Sequence, residues 1–328
     1  MLTFFRTNQV FYSLMLIVYI LLLRFSVFIA PFQWEPSGHG VLSESLYSLI
    51  GSSQSFTAHI VAMLLLMLQG YFVNLMCINN RISNDINLFP GLFYVWICCS
   101  IPDFLYLSPV LIGNTFFIFT LFQIFDTYKN PACANRIFNA GFWLGVASLF
   151  YFPFVFFLIV LIAALSILRA FNLQELLMIL LGMFLPYLFV GLYFFWFDRF
   201  DFFYEHQVGR NFDFLNLSSI PFTWDVWVKL AIFLIALIYV ITSNGSYLAK
   251  KNIQVQKKIN ILYWVPIAAL VSLPFQANAT LEHFLLLAPT LGIFLALTFT
   301  SLKSQWAEAI HFLMVVLALA LQFVPWQL

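Results

Sequence analysis

"FNAGFWLGVASLFYFPFVFFLIVLIAALSIL" (138–168) contains no charged residue. As a single helix it would rise about 47 Å, well past the roughly 30 Å hydrocarbon core of a bilayer. It is either one long tilted span or two short ones folded back at Pro153. The basic residues of the loops separate these readings. With the N-terminus cytoplasmic and a hairpin at Pro153, the inner loops carry Arg6, Arg81, Lys129, Arg136, Arg169, Lys250, Lys251, Lys257, Lys258 and Lys303. The outer loops then carry Arg24, Arg199, Arg210 and Lys229. A single span would invert everything after it and move "LAKKNIQVQKK" (248–258) outside. Lys and Arg gather on the cytoplasmic side, so two short helices are expected. Proline has no N–H to donate and breaks the run between them.

The rest of the chain agrees with a membrane setting. Of its 328 residues 63% are hydrophobic and 8% are charged, against about 25% charged in soluble domains. The ten-residue alternation of a membrane β-barrel is absent. A net charge of +1 gives no electrostatic basis for binding nucleic acid. The opening run "VFYSLMLIVYILLL" continues apolar through "RFSVFIAPF" without a small-residue cleavage site, so it reads as a first span. Cys77, Cys98, Cys99 and Cys133 form neither a disulfide framework nor a zinc spacing.

The expected fold is all-α: a polytopic bundle of about 11 helices, some short or broken, forming one transmembrane domain over 1–328. The helices fall at about 10–30, 55–77, 88–102, 108–126, 138–152, 154–168, 175–197, 226–243, 259–275, 281–301 and 307–325. Two outer loops are substantial, at about 31–54 and 198–225. In the first, Val41, Leu42, Leu46, Leu49 and Ile50 share a helical face with Ser43 and Glu44 off it, the pattern of a helix lying on a membrane surface. Most acidic residues also fall outside, which makes the outer face the better place for a site.

Three groups there are candidates. Glu35, in "QWEPSGHG", is placed to accept a proton from a hydroxyl, with Trp34 beside it to stack on a sugar. The alternative is a solvated carboxylate and an interfacial tryptophan. Asp103, in "SIPDFLYLSP", is a lone carboxylate among aromatic residues, or else a turn or cap residue. Arg199, His206 and Arg210 suit a phosphate, and Glu205 with His206 a divalent cation, although no metal motif is present. Mutual salt bridging of these charges is the alternative. Within the spans, Gln69, Asn74, Asn114 and Gln123 are uncharged and read as inter-helix hydrogen-bonding groups. The near absence of ionisable residues at that depth argues against a proton-coupled transporter.

The stretches "GVLSESLYSLIGSSQSFTAHIVAMLLLMLQGYFVN" (40–74), "NLFPGLFYVW" (87–96), "LSPVLIGNTFFIFTLFQIFDTYK" (107–129) and "FNAGFWLGVASLFYFPFVFFLIVLIAAL" (138–165) resemble a family of polytopic inner-membrane proteins of Gram-negative bacteria with no assigned activity. More broadly, the order of first span, Glu35, amphipathic segment and paired short helices resembles the type C glycosyltransferases. Where those carry a proline–leucine step, this chain has Val41-Leu42. The resemblance implies a polyprenyl-phosphate-linked sugar as donor at the outer face. It also implies Glu35 as base, with Asp103 the alternative acid and the arginines on the leaving phosphate. The competing expectation is a non-catalytic membrane subunit of an envelope complex serving secretion, export or motility, with other subunits as partners.

Overall fold

The computed structural model describes residues 2–6, 10–29, 40–53, 55–83, 86–169, 172–209, 224–242, 248, 251–275 and 280–323. Trp34, Glu35 and Arg210 lie outside the described residues. The helices are α1 (Val10–Leu23), α2 (Phe25–Ile29), α3 (Val41–Ile50), α4 (Phe56–Asn79), α5 (Phe89–Cys98), α6 (Pro109–Phe125), α7 (Ala134–Phe150), α8 (Leu158–Leu168), α9 (Leu173–Trp196) and α10 (Phe200–Gln207). They continue with α11 (Trp224–Thr242), α12 (Ile253–Leu262), α13 (Trp264–Ser272), α14 (Ala288–Ser301) and α15 (Ser304–Phe323). Tight 3-10 turns occupy Pro102–Phe104, Phe152–Phe157 and Leu281–Leu287, and no strand occurs among the described residues.

The deciding stretch is broken. Helix α7 ends at Phe150, Tyr151 is extended (φ −143°, ψ 107°), and the turn Phe152–Phe157 leads into α8. At the far end of α8 the Arg169 guanidinium donates to Cys133 Sγ at 2.8 Å and to the Thr127 carbonyl at 3.2 Å. Cys133 immediately precedes α7, so the end of α8 returns to the start of α7 and the pair is a hairpin.

Fewer helices than expected are long enough to cross a bilayer alone. Among the described residues four qualify by length and composition: Phe56–Asn79, Leu173–Trp196, Leu281–Ser301 and Ser304–Phe323. The shortfall has physical causes. Two expected spans are interrupted, at Arg24 between α1 and α2 and at Tyr263 between α12 and α13. Helix α5 has only ten residues, every one of them buried, so it is a core element enclosed by its neighbours. Its partner at the centre is α14, where a Cβ on Gly292 would sit 2.8 Å from the Tyr94 backbone nitrogen.

The polar residues at depth tie these helices together. Gln69 Nε2 donates to the Leu111 carbonyl (2.6 Å) and Thr115 Oγ1 (2.7 Å), and its Oε1 accepts from the Tyr94 hydroxyl at 2.7 Å. Asn74 Oδ1 accepts from the Gly91 N–H at 2.7 Å, and Asn114 Nδ2 donates to the Leu285 carbonyl at 2.9 Å. Gln69→Leu would remove all three of its bonds, to the Leu111 carbonyl, Thr115 and the Tyr94 hydroxyl, from a buried position. It is expected to lower unfolding stability by about 1–3 kcal/mol in detergent denaturation, whereas Leu68→Ala on the exposed side of α4 should cost far less.

Helices α7 and α9 meet backbone to backbone. A Cβ would stand 2.2 Å from the Ile179 carbonyl oxygen at Gly141, 2.5 Å from that of Met183 at Gly145, and 2.3 Å from that of Phe138 at Gly182. Small residues four apart on α7 permit this approach, as in close-packed membrane helices.

Helix α3 is seated on the broken end of α7. The Gly40 N–H donates to the Phe150 carbonyl at 3.0 Å and Ser43 Oγ to the same carbonyl at 3.2 Å. A helix end exposes carbonyls without internal donors, and these two groups supply some of what is missing. The expected apolar stripe is changed as a result. Ser43 is fully buried, whereas Leu49 is 85% exposed.

Candidate functional site

Charged and polar groups collect at two ends of the bundle. At one end Lys258 Nζ bonds Asn80 Oδ1, Arg136 pairs with Asp126 at 3.3 Å, and Arg169 pairs with Glu175 at 3.0 Å. The residues expected in the inner loops thus meet one another. At the other end lie the groups expected outside, and two of them are far from solvent. Arg24 and Lys229 were expected as loop cations, but the structure buries both (0% and 4% exposed). Arg24 is drawn in because the break after Leu23 turns its side chain onto the Leu105 carbonyl.

Asp103 sits in the turn between α5 and α6, 3% exposed. Its Oδ2 is 2.7 Å from Lys229 Nζ on α11. The turn Pro102–Phe104 packs on Leu281–Leu287, which brings in Glu282 and His283, both buried. Phe104 meets Phe233 of α11 edge-on at 5.5 Å, and Phe233 stacks on Phe284 at 5.6 Å. The ion pair therefore rests on an aromatic ladder joining the two turns to α11.

His283 links three elements. Its Nε2 lies 3.0 Å from the Ala269 carbonyl and 3.1 Å from Ser272 Oγ, and its Nδ1 lies 3.0 Å from the Tyr151 hydroxyl. A carbonyl only accepts, so Nε2 carries hydrogen and, in the neutral ring, Nδ1 accepts from Tyr151. Tyr151 is the residue at which the α7–α8 run breaks, so the hairpin tip is tied to this histidine. Nearby, the Tyr47 hydroxyl of α3 donates to the Leu107 carbonyl at 2.6 Å. Burial, and next the Glu282 carboxylate, push the Tyr47 phenol well above its ordinary value.

A cleft of about 480 Å³ opens beside this polar layer. Its walls are almost wholly apolar and come from α11 (Leu230, Phe233, Leu237), α13 (Ile267, Leu270) and the 281–294 run, with His283 as the polar member. Lys229 immediately precedes Leu230, a lining residue of α11, and Leu237, Tyr263 and Phe294 also line the cleft.

The remaining expected residues stand elsewhere. Arg199 flanks α10 and is exposed. His206, on α10, stacks on Phe202 at 4.0 Å. Its Nδ1 faces the Phe202 carbonyl at 2.9 Å and its Nε2 faces Glu44 of α3 at 3.3 Å. Both partners are acceptors, so each takes a hydrogen bond only from a ring nitrogen that carries hydrogen. Among the described residues no hydrogen bond or ion pair joins Asp103 to Arg199 or His206, and no group of three His, Cys, Asp or Glu forms a metal site.

No family model, curated protein or solved structure matches the chain. The reading of the site therefore rests on its own geometry. Sequence reasoning missed Lys229, Glu282 and His283. A signal was present for the last two: "LEHFLLLAPT" sets an acid and a histidine at the head of an apolar run, where ionisable residues are costly unless partnered.

Proposed function

We propose that this chain is a multi-pass protein of the bacterial inner membrane that holds a polyprenyl phosphate, or a sugar carried on one, at its outer face. We further propose that its architecture is akin to the type C glycosyltransferases, with sugar transfer as its reaction. The supporting observation is the apolar cleft of about 480 Å³, whose lining residue Phe233 lies one helical turn from Lys229 and meets Phe104, the neighbour of Asp103, with which Lys229 pairs. An isoprenoid chain suits the apolar walls, and the Lys229 ammonium suits the phosphate. The cation assigned to the phosphate is thus Lys229, in place of the arginines expected from the second loop. Asp103, with its carboxylate engaged by that lysine, serves as its counter-ion and holds it in place. In the active enzyme the proton-accepting role falls to Glu35.

The test uses the full-length chain extracted with its native lipids. Native mass spectrometry is expected to show one polyprenyl phosphate per chain, retained at least about tenfold more than phosphatidylglycerol. Lys229→Met is expected to abolish that preference. Equal retention of the two lipids, or retention indifferent to Lys229, would overturn the reading. The separation of Arg199 and His206 from Asp103 favours the second reading, a non-catalytic subunit of an envelope complex. Stoichiometric protein subunits in the same spectrum, with no polyprenyl phosphate, would establish it.

A further inference from the structure

Another cavity lies at the end of the bundle where the inner-loop residues gather, apart from the lipid cleft. It measures about 740 Å³ and is walled by the end of α4, the loop after it and the start of α12. Unlike the cleft, it is mostly polar. Side-chain amides come from Asn79, Asn80, Asn252 and Gln254, and two cations, Arg81 and Lys251, stand in the same wall. Among the described residues no carboxylate lines it. Of the acids expected on the inner side, Asp126 and Glu175 are already paired with Arg136 and Arg169, and Glu308 accepts from the Thr3 N–H at 3.2 Å. Asp85 lies outside the described residues.

Arg81 holds its place in this wall against the preference of its backbone. Helix α4 closes in a Schellman turn: the Ile82 N–H donates to the Cys77 carbonyl at 2.9 Å, and the Arg81 N–H to the Ile78 carbonyl at 3.1 Å. Such a turn puts the residue after the cap in the left-handed region, where glycine is the usual occupant. Here that residue is Arg81, at φ 53°. The local fold therefore does not ask for arginine, and no carboxylate pairs with it among the described residues. A left-handed residue other than glycine points to a use for its side chain. Two further features make the surroundings positive. Lys258, 4% exposed, bonds Asn80 Oδ1 and adds a buried ammonium next to a wall residue. The first turn of α12 forms part of the wall, and its N-cap Asn252 makes no side-chain cap bond, so the positive end of that helix is left unneutralised.

We propose that this cavity binds a phosphate-bearing anion. A guanidinium takes two phosphate oxygens in parallel, an ammonium supplies a point charge, and amide NH₂ groups donate to the oxygens that remain. A halide would use the charges but leave the amides and most of the space unfilled. The phosphate belongs either to an anionic lipid headgroup, the ligand of basic pockets at the cytoplasmic ends of membrane helices, or to a soluble phosphate compound.

The experiment measures thermal unfolding of the full-length chain at constant pH and ionic strength, in two arms. In detergent, sodium phosphate replaces sodium chloride. In nanodiscs, bilayers of net-neutral phosphatidylcholine are compared with bilayers that also contain phosphatidylglycerol. The wild-type midpoint is expected to rise in a saturable way in at least one arm. A rise with inorganic phosphate marks a soluble phosphate compound as the occupant, and a rise with phosphatidylglycerol alone marks a lipid headgroup. Arg81→Gly is expected to be at least as stable as the wild type without either probe, because glycine suits the left-handed turn. It should nevertheless need about tenfold more of the effective probe for half the response. Lys251→Met is expected to weaken the response in the same direction, and it decides the matter if the glycine variant does not fold. No rise in either arm, or a response unchanged in these variants, would overturn the proposal.

Discussion

Asp103→Leu, with Lys229 left in place, is expected to lower unfolding stability by about 3–5 kcal/mol. The carboxylate lies 2.7 Å from the ammonium, with side-chain exposures of 4% and 6%, so removing it takes the counter-charge from a buried ammonium. Lys229→Met should cost a similar amount, because the carboxylate is then the stranded partner. The double variant Asp103→Leu with Lys229→Met is expected to recover most of the loss. Replacing both members of a buried pair with apolar groups is often close to neutral. Reversible denaturation of the two single variants and the double variant measures the coupling. Additive costs would show that the pair does not interact. The cycle also separates folding from function: the double variant should be stable and yet fail to retain polyprenyl phosphate.

The second large effect lies at the α7–α9 crossing. Gly141→Val with Gly145→Val places branched side chains where single carbons already fall 2.2 and 2.5 Å from carbonyl oxygens of α9. Those oxygens are backbone and cannot swing aside, so the helices must part. The combined cost is expected to exceed about 3 kcal/mol, each site contributing the roughly 1–3 kcal/mol of an overpacked core. Gly191→Ala on α9 is the control. Its nearest neighbour would be the Phe203 ring at 3.7 Å, an ordinary contact, and loss of glycine's backbone freedom should leave it neutral or slightly more stable. A double-valine protein as stable as the wild type would show that the helices do not meet in this way.

Much of this architecture was legible in the chain. Apolar runs bounded by Pro, Asn and Gly placed helices close to their observed positions, because period and punctuation are local properties. The break within 138–168 was legible too, from Pro153 together with the distribution of Lys and Arg. The pairings were not. Asp103 and Lys229 are held together by the packing of a turn against a helix far away in sequence, and nothing near either residue announces the other. Arg24 reads as a loop cation because burial depends on what folds over it. Local pattern likewise set Ser43 off the apolar face of α3, yet the carbonyl of Phe150 buries it. The expected site residues Arg199 and His206 failed to join Asp103 for the same reason: sidedness is encoded by charge, while position around the bundle is encoded by packing.

The seating of α3 has a consequence for the order of assembly. Its acceptor carbonyl, that of Phe150, is made about a hundred residues after Gly40, roughly 5–20 s later at ordinary rates of synthesis. Until α7 stops at Phe150, the nascent segment 40–50 has no dock. Its two-faced sequence suits the lipid headgroup layer as a resting place through that interval. The interruption at Tyr151 is thus the point at which the seat of the earlier segment is completed.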